Sequence, residues 1–161
     1  MEICNAKRED IAETSAFAQR VFIEYYDDLI GHEQAVYMAE LFLSQEAIGR
    51  LMDEGAVFRL VREGGKILAY YEYKPEADRM FLSKLYVDKD ARGKGLGRMM
   101  FTDLLKETEK HGLNRIYLTV NKGNTPSYKI YLHLGFKVTD AVVNDIGHGY
   151  VMDDYIMEYR L

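Results

Sequence analysis

The feature that most constrains this chain is Arg92-Gly93-Lys94-Gly95-Leu96-Gly97, three alternating glycines set between an extended run and a helical one. Upstream, a run from about Arg79 ends in the β-rich Leu85-Tyr86-Val87. Downstream, Met99, Met100, Leu104, Leu105 and Thr108 recur at helical spacing until Gly112, a suitable residue to follow a helix. Glycine adopts backbone angles closed to residues with a Cβ and lets a ligand touch the main chain. Such a turn at a helix start presents unpaired N–H groups and the positive end of the helix dipole, and Arg92, Lys94 and Arg98 add charge. That chemistry suits a pyrophosphate. Taken alone, the turn also reads as a solvated connection with surface bases.

Two familiar phosphate loops fail on specific residues. A nucleoside-triphosphate loop needs Ser or Thr directly after Gly-Lys to hold magnesium, and Gly95 follows Lys94. The dinucleotide fingerprint needs glycine at position 98, where Arg98 stands, and an acid closing the next strand, where the run ends at Val120.

Elsewhere the period of the apolar residues sets the elements. A strand near Ile3 precedes a helix from about Asp10 to Tyr26, a second helix spans about Glu33 to Leu43, and Ser44 caps a third over Gln45 to Glu54. Ala56 to Arg62 and Lys66 to Tyr73 flank Glu63-Gly64-Gly65, which is hairpin chemistry. Arg115 to Val120 reads as a strand, Thr125 to Leu134 as a helix stopped by Gly135, and Phe136 to Val143 and Asp153 to Arg160 as strands. The chain therefore reads as one α+β domain over residues 1–161, with a mixed sheet and helices on its faces.

Composition narrows the partners. With 48% apolar and 29% charged residues the chain is of ordinary globular type, and no run of about 18 apolar residues exists to span a membrane. The start, Met1-Glu2-Ile3-Cys4-Asn5, lacks a secretory pattern, so a cytoplasmic location is expected. A net charge of -5 argues against nucleic acid and favours a cationic small molecule. Cys4 is the single cysteine, so no disulfide or cysteine-rich metal site is expected, and no histidine pair has metal-ligand spacing.

Taken together, the motifs resemble the GNAT superfamily of N-acetyltransferases. Its signature, Gln/Arg-x-x-Gly-x-Gly/Ala after a central strand, is matched by Arg92 to Gly97, and a second pattern by Asn124, Ser127, Tyr131 and Gly135-Phe136. The resemblance runs from about Val57 to Tyr159, and the stretch Asp145 to Tyr155 is similar to that of the polyamine-acetylating branch. It implies a central mixed, mostly antiparallel sheet of six or seven strands flanked by about four helices, splayed open beyond the central strand. It also implies acetyl-CoA as cofactor, held by the turn from Arg92 to Arg98, by the main chain of Leu85 and Val87, and by Asn124 and Ser127. Tyr131 is the implied general acid, and Ser83 stands where many relatives carry a glutamate base.

The chemistry asks for a base, because an alkylamine with a pKa near 10.4 costs roughly 4–5 kcal/mol to deprotonate at pH 7. Glu33, Glu72, His148, Asp153 and Asp154 are the candidates. Asp145, Asp153 and Asp154 with Tyr150 and Tyr155 form a candidate acidic, aromatic rim for a cationic acceptor, and Glu72 is a further candidate on the substrate side. The expected activity is acetyl transfer to a primary amine of a small cation such as a polyamine. Acetylation of a protein or peptide, or a non-catalytic CoA-binding module, are the alternatives. A homodimer is expected to form through Tyr155, Ile156 and Met157 on the last strand.

Overall fold

A computed structural model describes residues 1–161. Its elements, in chain order, are β1 (Glu2–Asn5), α1 (Ile11–Ile30), α2 (His32–Leu43), α3 (Gln45–Asp53), β2 (Val57–Glu63), β3 (Lys66–Pro75), β4 (Met80–Val87), α4 (Leu96–Lys110), β5 (Arg115–Asn121), α5 (Thr125–Leu134), β6 (Lys137–Gly147) and β7 (Tyr150–Arg160). Five α-helices flank the sheet, one more than the count of about four. The Ser44 hydroxyl accepts the Ala47 amide at 3.1 Å, starting α3 as a helix separate from α2.

The seven strands run in the order β1-β2-β3-β4-β5-β7-β6. Every neighbouring pair is antiparallel except β4 and β5, which are joined through the crossover helix α4 and are parallel. One core lies between the sheet and α4, where Tyr71, Met80, Met100, Leu104 and Ile116 are buried. A second lies between the other face and α1–α3, with Phe17, Val21, Leu43, Ile48 and Tyr70. Burial on both faces explains why Ile67 to Tyr71 is apolar throughout, without polar alternation.

The parallel pair positions the site. Only Met80↔Ile116 and Phe81↔Tyr117 are in register, after which β4 and β5 separate. From Leu82 to Val87 the β4 edge facing β5 therefore has no strand partner, while its other edge stays paired with β3.

Three sequence expectations shift. α1 continues past Tyr26 to Ile30, where Gly31 at φ 89° ends it. β6 continues past Val143 to Gly147 and β7 begins at Tyr150 rather than Asp153, with a bulge between Asp145 and Gly147 and a turn through His148 closing the hairpin. The last strand, β7, lies inside the sheet, paired with β5 on one side and β6 on the other. Tyr155, Ile156 and Met157 thus offer no free edge to a second copy, and the exposed edge on this side of the sheet is β6.

Candidate active site

The glycine turn is built as its residues dictate. Gly93 and Gly95 sit at φ 79° and 78°, the left-handed region, and Gly95 is the N-cap of α4. It brings no capping side chain, and the first turn of α4 carries no acid, so the amides there are left for an external acceptor. A Cβ built on Gly93, Gly95 or Gly97 would meet no atom within 4 Å, so the space in front of these amides is open. Leu96, 2% exposed, pins the turn to the core, whereas Arg92, Lys94 and Arg98 stay exposed. Asp88 braces the approach by accepting from Arg20 at 3.1 Å and from the Asp90 amide, and Arg20 holds its carboxyl below the usual range. Open amides at a helix start with three cations nearby fit a pyrophosphate, and the unpaired β4 edge bearing Leu85 and Val87 fits an extended arm adding as a strand.

Where β4 and β5 part lies a cleft of about 50 Å³, walled by Ser83, Leu85, Tyr86, Thr119, Asn124 and Tyr131 among others. Burial pushes the Tyr131 phenol up, so it stays protonated at neutral pH and able to donate. Asn124 caps α5, its Oδ1 accepting the Ser127 amide at 3.3 Å and the Tyr25 hydroxyl at 2.8 Å. Tyr25 also meets Ser127 Oγ at 2.9 Å, and its ring lies 5.8 Å from the Arg92 guanidinium carbon. Asn124 Nδ2 donates to the Tyr26 hydroxyl at 3.3 Å. Asn124 and Ser127 thus hold α5 to α1, and Tyr25 in turn lies beside Arg92 of the glycine turn. Helical periodicity hides that Tyr25 is bonded to α5 and that Tyr26 lines the cleft, since their place on α1 resembles any core face.

Through Tyr26, Ser83, Lys84, Tyr86 and Thr119 the cleft shares walls with a second cavity of about 490 Å³ between α1–α2 and the β6–β7 hairpin. Asp154 lines this larger cavity at 4% exposure. Burial, and then the charge of Asp153, pushes its carboxyl up to about 6, and no side-chain hydrogen bond or ion pair within the chain engages it.

The other acidic candidates are placed elsewhere. Strand alternation turns Asp153 away from Asp154, onto an exposed face where it pairs with Lys122 at 3.0 Å. Asp145 is exposed and accepts the Gly147 amide, and Tyr150 packs against Tyr37 of α2, so the expected acidic rim does not assemble. Glu72 is 2% exposed beneath the cavity and is paired with Lys84, which covers it. Glu33 is exposed, and His148 stands in the hairpin turn against Tyr37. Of the five candidate bases, Asp154 alone lines the cavity.

The far side of the cavity is tied across by two hydrogen bonds, Tyr37 Oη to the Ile146 carbonyl at 2.6 Å and Gln34 Nε2 to the Val151 carbonyl at 3.3 Å. These join α2 to the hairpin. No helix in the structure is long and apolar enough to cross a membrane.

Comparison with known proteins agrees with this geometry. A model of the acetyltransferase (GNAT) family matches residues 15–136. The chain is 32% identical over 74 residues to the ribosomal protein bS18 alanine N-acetyltransferase of Escherichia coli, covering 46% of this chain and 50% of that protein. It is 33% identical over 76 residues to a probable spermine N(1)-acetyltransferase of Bacillus subtilis, covering 43% and 50%. The match thus spans about half the length of these curated relatives. In structure it is similar to the paia N-acetyltransferase of Thermoplasma acidophilum, crystallised in complex with coenzyme A, with a TM-score of 0.84 at 22% identity, covering 99% of this chain and 98% of that one.

Proposed function

This chain belongs to the acetyltransferase (GNAT) family, and we propose that it transfers an acetyl group from acetyl-CoA to the primary amine of a small molecule. The observation that carries the acceptor side is Asp154, a buried carboxylate without a partner in a cavity that opens onto the parting of β4 and β5. When bound, acetyl-CoA supplies the acetyl group already activated as a thioester. The amides at the start of α4, with Arg92, Lys94 and Arg98, hold its phosphates, and the free edge of β4 at Leu85 and Val87 orients its arm.

Asp154 receives the ammonium and takes one proton from it at a carboxylate oxygen. Raising its carboxyl from 3.8 to about 6 brings it closer to an alkylammonium by about 3 kcal/mol, which makes it a better base than an exposed aspartate. Asp154 thus fills the role left open by Ser83. The neutral amine attacks the thioester carbon, forming the C–N bond as the C–S bond breaks. Tyr131, in the adjoining cleft with its phenol protonated, gives its hydroxyl proton to the departing sulfur and regains the second proton of the acetylated nitrogen. Tyr26 lines both cavities, the one holding Asp154 and the one holding Tyr131.

Acetylation of a protein N-terminus is the second reading, favoured by the likeness to a ribosomal-protein acetyltransferase. The hydrogen bonds joining α2 to the β6–β7 hairpin favour a small acceptor, because they tie together two walls of the cavity.

Thiol release from acetyl-CoA with a panel of amines, amino acids and short peptides tests the proposal. Release with one amine class, reduced in Tyr131→Phe and in Gly95→Glu, is the expected result. Bound CoA with no release from any acceptor would replace the enzyme with a CoA-binding regulatory module.

A further inference from the structure

The acceptor cavity has a chemistry of its own. Twelve of its nineteen lining residues are hydrophobic. Phe22, Phe42, Phe81 and Tyr86 supply rings, and Met38 and Met152 supply thioethers, which pack well against aromatic groups. Its volume of about 490 Å³ is ample for a ring-bearing molecule.

Charge in the cavity is sparse. Asp154 is the one acidic residue in the lining. Lys84 is the one basic residue, and its ammonium is already occupied by the buried Glu72 and by Ser83 Oγ at 3.1 Å. The remaining polar lining residues, Gln34, Ser83, Thr119, Asn121 and Asn144, are neutral. Asp153 and Asp145, which would have answered further cations, face outward and are exposed.

We propose that the acceptor is a monocationic primary amine with an apolar, ring-bearing body, its ammonium on Asp154 and its body among the rings and methionines of α1, α2, β4 and β7. This rests on the amine-acetyltransferase reading of the same site. A polyamine brings at least one more ammonium, which would be desolvated in a cavity whose lining has no second carboxylate, the nearby Glu72 being already paired with Lys84. A peptide brings polar backbone groups that the apolar walls cannot pair. The neutral amides of Gln34, Asn121 and Asn144 accommodate one or two polar substituents on the ring without demanding charge.

The test compares kcat/KM for acetyl transfer to 2-phenylethylamine, spermidine and an alanine-terminated tripeptide, in the native chain and in Met38→Glu. The native chain is expected to prefer 2-phenylethylamine over both others by at least about tenfold. Met38→Glu adds a second carboxylate to the lining and is expected to shift the ratio toward spermidine. Met152→Glu makes the same test from the opposite wall should the first variant fold poorly. Preference for spermidine or the peptide in the native chain would overturn the inference and leave the amine-acetyltransferase reading intact. No transfer to any of the three, or to the wider amine panel, would overturn both.

Discussion

Replacing Asp154 with asparagine is expected to stabilise the protein while removing most of its activity. The carboxyl lies at about 6 in the folded chain against 3.8 when free, because it is buried and lies near the charge of its chain neighbour Asp153. A carboxyl raised on folding contributes stability below its unfolded pKa, and that contribution is lost as pH rises through the folded value. Between those values the native state binds more protons than the unfolded one, so the ionised Asp154 costs about 3 kcal/mol by pH 7. Asparagine stands in for the neutral acid and has no such cost. Urea unfolding of both proteins from about pH 4 to about pH 8 reads the difference. The variant should match the native chain near the acid end and exceed it by about 3 kcal/mol at the neutral end, roughly 6–12 °C in Tm for a chain of this size. A difference of the opposite sign, or one that does not change with pH, would refute the placement of Asp154 as a buried, unpartnered carboxylate.

Three further outcomes follow from the same geometry. Tyr131→Phe should lower kcat by roughly 10²–10⁴-fold with little change in the KM for acetyl-CoA, measured by steady-state thiol release, because it removes a proton donor and leaves the glycine turn intact. Gly95→Ala should raise the KM for acetyl-CoA and cost about 1–2 kcal/mol of stability by thermal unfolding, since φ 78° is strained for alanine even where its methyl meets no neighbour. Glu72→Gln should destabilise by about 3–5 kcal/mol in urea titrations by leaving the Lys84 ammonium unpaired, and adding Lys84→Met should recover part of that loss.

The sequence made the cofactor side legible and left the acceptor side obscure for a physical reason. The turn geometry at Gly93 and Gly95 is legible locally, because positive φ and an uncapped helix start are properties of a few consecutive residues. The resemblance marked Asn124 and Ser127 as cofactor contacts, whereas their bonds to Tyr25 depend on where α1 packs. The acceptor cavity is assembled from α1, α2, β4, β5 and a hairpin that are distant in sequence, so no short motif marks it. Asp153 and Asp154 looked equivalent as neighbouring acids. Strand alternation could have separated them, since Met152 and Asp154 must share a face, but which face is inward depends on the register with β5 and β6. The reach of β7 into the sheet interior was likewise invisible, because Tyr155 to Met157 has the same composition at an edge or in the middle.

Asp154 is the group on which the proposed amine and proton transfer depend. The direct measurement is kcat/KM for acetyl transfer to the preferred amine as a function of pH, in the native chain and in Asp154→Asn. The native profile should rise with an inflection at about 6, and the asparagine variant should lose that inflection along with roughly 10²–10⁴-fold in rate. A variant that keeps both the native rate and the inflection near 6 would contradict the account, since another group would then be taking the proton.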